Sequence, residues 1–161
     1  MSIEILFINS PLEKYPINGR MNKYLCIPPY GLLYCATVCI NILGKGAVAV
    51  LDAEYEGLSP HQIKSRLDCT RPRYIAINVT SINLPVVKEI ISLVNRDHSV
   101  IVGGAHAILS PRDFFDSSLI NKILFVCTDN GESVYHQFFT GIPIEKISNI
   151  CYFDGSRIIE H

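Results

Sequence analysis

The chain has 161 residues, of which 48% are hydrophobic and 18% charged. That length and composition describe one globular domain with a core of its own and exclude a disordered chain. Lys and Arg total 14 against 15 for Asp and Glu, a net charge of −1, so no basic field is available to recruit nucleic acid or an anionic membrane.

The first segment, "IEILFIN" (3–9), is short, continuous and rich in branched apolar residues, as expected of a strand buried on both faces. An acidic residue at Glu4 and the lack of a small-residue cleavage site set the N-terminus apart from a signal peptide. No apolar run approaches the roughly 20 residues needed to span a bilayer. Next come about twenty residues, "SPLEKYPINGRMNKYLCIPPY", with four prolines and no periodicity. Loops this long inside a compact domain are usually functional or disordered. This one also replaces the tight Gly-rich turn of a dinucleotide-binding fold, which argues against a nicotinamide or flavin dinucleotide site.

Apolar residues at 32, 35, 36, 39, 40 and 43 in "GLLYCATVCINILG" (31–44) predict a helix with Gly44 as its stop. "AVAVLD" (47–52) predicts the second strand, and "SPHQIKSRLD" (59–68) a helix with Ser59 as N-cap and Pro60 in its first turn. "YIAINV" (74–79), "SVIVGG" (99–104) and "KILFVC" (122–127) predict three more strands. Between and after them, "PVVKEIISLVNR" (85–96), "SPRDFFDSS" (110–118) and "GESVYHQFFTG" (131–141) predict helices, and Asp154-Gly155 predicts a hairpin over about 148–160. The alternation gives an α/β fold, a three-layer doubly wound (Rossmann-like or flavodoxin-like) five-stranded parallel sheet with a small C-terminal β-hairpin, in a single domain spanning 1–161. Six cysteines at 26, 35, 39, 69, 127 and 151 form no C-x-x-C pair, and several fall in apolar patterns where thiols pack as small hydrophobes. A reduced, cytoplasmic protein is expected.

In such a sheet, ligands bind beyond the C-terminal ends of the strands. Four of those ends carry polar or glycine signatures. The second has Asp52, Glu54 and Gly57 on a D-x-E-x-x-G spacing; the third has Thr80, Ser81 and Asn83 in "NVTSIN". The fourth has Gly103, Gly104 and His106 in "VGGAHA", and the fifth has Gly131 and Glu132 in "CTDNGE". Each also has a purely structural reading. The first is a turn, the second a helix cap, and the glycines a concession to close packing. His106 reads equally as a capping or solvated histidine, and Glu132 suits the positive end of its helix. Together they frame a crevice in which Gly103-Gly104 admits a large flat or elongated ligand against the backbone. The shortage of positive charge excludes a polyphosphate. A receiver-like phosphorylation site is set aside, because neither an acidic pair after the first strand nor an Asp after the third is present.

The order "PPYGLLYCATV", "VLDAEYEGLS", "INVTSIN", "IVGGAHA" and "NGE" resembles the cobalamin-binding domain of cobalamin-dependent radical S-adenosylmethionine enzymes. The resemblance covers nearly the whole chain, and "ISNICYFDGSRII" resembles the segment leading into the radical domain. The wider cobalamin-binding fold carries D-x-H-x-x-G after its second strand, with the His as lower ligand to cobalt. Asp52 and Gly57 match the ends of that motif, and Glu54 stands in the histidine's place. A carboxylate replaces imidazole poorly on cobalt, so the resemblance implies a cofactor bound tail-out with no axial histidine from the protein. It implies contacts from all the rim residues named above, methyl transfer as the usual chemistry, and a radical S-adenosylmethionine domain in cis or trans as partner. The C-x-x-x-C-x-x-C triplet of an iron–sulfur cluster is missing; Cys35 and Cys39 are followed by Ile at 42. No catalytic residue and no metal ligand is expected on this chain. The lost histidine equally admits a non-catalytic interaction domain of the same fold that no longer binds the cofactor.

Overall fold

A computed structural model describes residues 3–12 and 28–161. Most of the proline-rich loop after the first strand, with Cys26, lies outside the described residues.

Five strands run parallel: β1 (Ile5–Asn9), β2 (Val48–Asp52), β3 (Tyr74–Asn78), β4 (Ser99–Gly103) and β5 (Ile123–Cys127). The hairpin β6 (Ile150–Phe153) and β7 (Ile158–Glu160) pairs antiparallel onto β5, giving one seven-stranded mixed sheet in the order β2-β1-β3-β4-β5-β6-β7. The expectation of a sheet ending at five strands is therefore corrected. The hairpin is part of the sheet because β5 would otherwise be an open edge, and Cys151 and Ile150, both fully buried, pair with Val126 and Cys127 to close it. Its turn is fixed by Asp154 Oδ1, which accepts from the backbone N–H groups of Ser156 and Arg157 at 2.8 Å each. Those bonds, that from Arg157 foremost, hold the Asp154 carboxyl down to about 2.

Strand residues alternate between two covered faces. Leu6, Ile8, Ile75, Ile77, Val100 and Val102 face α3 (Pro60–Thr70) and α4 (Leu84–Leu93), meeting Ile63, Leu67, Val87 and Ile91. Ile5, Phe7, Ala76, Ile101 and Phe125 face α1 (Tyr30–Leu43) and α6 (Gly131–Phe139), meeting Ala36, Cys39, Val134 and Tyr135. Gly44 ends α1 at φ 87°. Ser59 and Gln62 form a reciprocal capping box at the start of α3. The last carbonyls of α4, Ile91 and Ser92, are taken by Lys122 Nζ.

Two short elements, α2 (Ala53–Glu56) and α5 (Ala105–Leu109), lie where loops were expected. The helix expected over 110–118 is instead one 3₁₀ turn, Pro111–Phe114, followed by irregular chain. Phe114, Phe115 and Leu119 are all buried there, and the turn packs them without a full helix. Of the two, α5 does not announce itself in sequence, since it starts from Gly104 with no side-chain cap, whereas α2 carries cap residues at both ends, Asp52 and Gly57.

Candidate functional site

The register sets one polar row along the C-terminal edge of the sheet, Asp52, Asn9, Asn78 and Gly103 side by side on β2, β1, β3 and β4. Strand order reverses about β1, whose two parallel neighbours are β2 and β3, and a crevice forms at such a switch point. A cavity of about 380 Å³ opens there on the α1–α6 side. Phe7, Ala76 and Cys127 form its floor, Leu32 and Cys35 of α1 and Tyr135 of α6 its walls, and Asn78, Gly103, Gly104, Ala105 and Ile108 its rim.

Its chemistry is apolar and uncharged at depth, with acid near the entrance. Asp129 and Glu132 are the charged residues that line it, and among the described residues no lysine or arginine does. Burial, reinforced by Glu132, pushes the Cys35 thiol up to about 12. Burial likewise raises Cys127 and Tyr135. These groups stay protonated at neutral pH and serve as wall rather than as nucleophiles.

The expected site residues separate into three groups. Gly103, Gly104, Gly131 and Glu132 line the cavity. The two paired glycines do different work. A Cβ on Gly103 would meet Cys127 Cβ at 3.8 Å, an ordinary contact, so the missing side chain is what leaves the cavity open. A Cβ on Gly104 would lie 2.4 Å from Asn78 Oδ1 and 2.5 Å from the Val79 carbonyl, at φ +112°. Gly104 is thus a close-packing glycine. Gly131 lets α6 approach α1, since a Cβ there would sit 2.8 Å from Cys35 Sγ.

The D-x-E-x-x-G segment is a capped helical turn and does not line the cavity. Asp52 Oδ1 accepts from Tyr55 N–H at 3.1 Å and from Asn9 Nδ2 at 2.8 Å, and Gly57 closes α2 in the left-handed region at φ 67°. Glu54 Oε2 accepts from Leu12 N–H at 2.6 Å, tying the start of the loop after β1 to the β2 end.

Thr80 and Asn83 belong to a buried brace between β1 and β3. Asn83 Oδ1 accepts from Thr80 N–H at 2.7 Å, Asn83 Nδ2 donates to Ser10 Oγ at 2.8 Å, and Ser10 Oγ donates to the Asn78 carbonyl at 3.1 Å. The reading of this stretch as a cap for α4 holds only for the backbone: Asn83 is the N-cap and its carbonyl accepts from Val87 N–H at 2.9 Å, but its side chain makes no bond to that helix. His106 is neither a cap nor solvated. It is buried between Ser81 and Asp113.

Sequence reasoning missed Phe7, Ala76, Asn78, Cys127 and Tyr135. The available signal was the strand alternation itself, which turns Phe7, Ala76 and Cys127 to one face, together with small residues at Gly31, Ala76, Gly103 and Gly131 around one volume. Among the described residues no group of three or more His, Cys, Asp or Glu is arranged to hold a metal ion, and no helix is long and apolar enough to cross a membrane.

No family model and no curated protein matches the sequence. A solved structure does match the fold. It is the apo form of the cobalamin-dependent S-adenosylmethionine radical enzyme OxsB, at a TM-score of 0.68 and 20% identity over 99% of this chain. The chain spans about a fifth of that protein's length, 22%. At that identity the likeness is one of fold: the α/β domain is built like a segment of a cobalamin-dependent radical enzyme.

Proposed function

We propose that the chain is a cobalamin-binding module of the radical S-adenosylmethionine enzyme type, with the nucleotide tail of the cofactor housed in the cavity between the sheet and α1–α6. The observation that carries this reading is the cavity itself. About 380 Å³ is within the usual range for small-molecule sites, and a side chain at Gly103 would occupy it. Its neutral thiols, Phe7 and Tyr135 suit a flat uncharged heteroaromatic ring. Asn78 and Glu132 supply hydrogen-bonding groups for the ring nitrogen or the ribose of the tail.

The cofactor supplies a cobalt centre able to carry a methyl group. The protein's part would be to bind the tail and to exclude water from the ring, while offering no free imidazole to the metal from the rim. Both ring nitrogens of His106 are engaged by Ser81 and Asp113, and Glu54 is engaged by Leu12. Solvent-exposed Tyr30, Ile82 and Leu109 lie on segments at the same edge of the sheet. They support a covering radical S-adenosylmethionine domain or protein as partner. The same apolar edge would serve an interaction domain without cofactor, and binding distinguishes the two.

The experiment compares hydroxocobalamin with cobinamide, which lacks the nucleotide tail, by visible-absorbance titration and retention on desalting. Burial of a flat ring is worth about 3 kcal/mol, so cobalamin is expected to bind roughly 100-fold more tightly. Equal affinity would remove the tail from the cavity. Retention of neither would leave the interaction domain.

A further inference from the structure

A second polar constellation lies on the other side of the cavity rim. Ser81 Oγ is 3.0 Å from His106 Nδ1, and His106 Nε2 is 2.9 Å from Asp113 Oδ2. The three residues come from three segments: the turn after β3, the helix α5 and the 3₁₀ turn 111–114. His106 also stands edge-on to Phe114, ring centroids 6.0 Å apart.

The chemistry orders the donors. Asp113 as a carboxylate only accepts, so Nε2 carries the hydrogen that it takes, and the Ser81 hydroxyl, able to donate or accept, serves Nδ1. Each partner satisfies one nitrogen of a buried ring, and the loss of either leaves that nitrogen short of a bond. These are the residue types of a nucleophilic triad. Here, however, they brace the face packed on α3–α4, since Phe114 and Ala107 belong to that core, while the cavity opens on the α1–α6 side.

What the brace holds is α5. Five residues without a side-chain cap do not sustain a helix alone. Besides the His106 side chain, this helix is tied down by backbone bonds from His106 N–H to the Val79 carbonyl at 3.2 Å and from Ser110 N–H to the His106 carbonyl at 2.8 Å, and by Ala107, which is buried in the core. Two residues of α5, Ala105 and Ile108, line the cavity, and they flank His106 and Ala107, which are buried.

We infer that Ser81–His106–Asp113 is a positioning relay that fixes α5 and so sets the fit of the cavity rim to the ring it receives. The relay itself rests on geometry; its effect on ligand rests on the cobalamin reading above.

Two measurements on the whole chain test it. Amide hydrogen exchange is followed over 105–109 in wild type, Ser81→Ala, Asp113→Ala and Asp113→Asn. Loss of one part-buried hydrogen bond is expected to speed exchange in α5 roughly 10-fold in both alanine variants. Amides of β3 and β4 should be unchanged, and Asp113→Asn, which keeps an oxygen acceptor, should stay near wild type. The same variants are titrated with hydroxocobalamin and cobinamide. The alanine variants should lose roughly 10-fold for cobalamin and nothing for cobinamide.

Unchanged exchange in α5 overturns the relay, as does an equal loss for both ligands, which would make Ser81 a direct contact. If wild type binds neither ligand, the functional reading fails, and the exchange data alone decide whether the brace exists.

Discussion

Gly103→Leu is expected to abolish tail binding while leaving the fold intact. The residue has ordinary strand geometry beside Asn78 and Val102, and a Cβ there meets only Cys127 at 3.8 Å. A leucine side chain therefore enters the cavity and packs on its apolar floor of Phe7, Ala76 and Cys127. Filling apolar space adds burial, so thermal stability should hold or rise by about 1 kcal/mol. Cobalamin affinity should fall at least ~100-fold, to the level of tail-less cobinamide. Loss of folding in this variant would contradict the assignment of Gly103 to an open cavity.

Gly104→Ala is expected to do the reverse. Its Cβ would meet Asn78 Oδ1 at 2.4 Å and backbone atoms of Val79 at 2.5 and 2.9 Å, at a φ of +112° that L-residues rarely adopt. Val79 has little freedom to retreat, because its N–H donates to the Gly103 carbonyl at 2.8 Å and its carbonyl accepts from His106. Steric strain and the unfavourable φ together should cost about 3 kcal/mol, read as a lowered urea midpoint with an unchanged slope. A silent Gly104→Ala would mean that β3 and β4 are farther apart at their ends than the structure has them. The two adjacent glycines are thus separable by experiment, one through ligand and one through stability.

The parallel core of the fold was legible because its strands are buried on both faces and read as uninterrupted apolar runs. Gly44, Ser59 and Pro60 marked helix ends through chemistry that acts locally. The union of the hairpin with the sheet was not legible, since pairing of Val126 with Cys151 is a tertiary contact that neither strand encodes alone. The same limit applies at the rim. "VGGAHA" gave two glycines of equal appearance, and only the approach of Asn78 and Val79 tells them apart. "DAEYEG" drew attention for its spacing, yet Asp52 and Gly57 are accounted for by the two ends of α2. His106 gave no sign of its partners, because Asp113 is placed by a 3₁₀ turn where a helix was expected. The cavity floor was hidden for a different reason. Phe7, Ala76 and Cys127 look like core in sequence, and they become a site only where α1 and α6 leave a gap above them.

The most direct test of a tail-out cobalamin module is electron paramagnetic resonance of cob(II)alamin mixed with the purified chain under reducing, oxygen-free conditions. In free cob(II)alamin the tail base sits on cobalt and its nitrogen splits the signal. With that base drawn into the cavity and no histidine taking its place, the nitrogen splitting should vanish on binding. Persistence of the splitting, from the tail base or from a protein imidazole, would contradict the account.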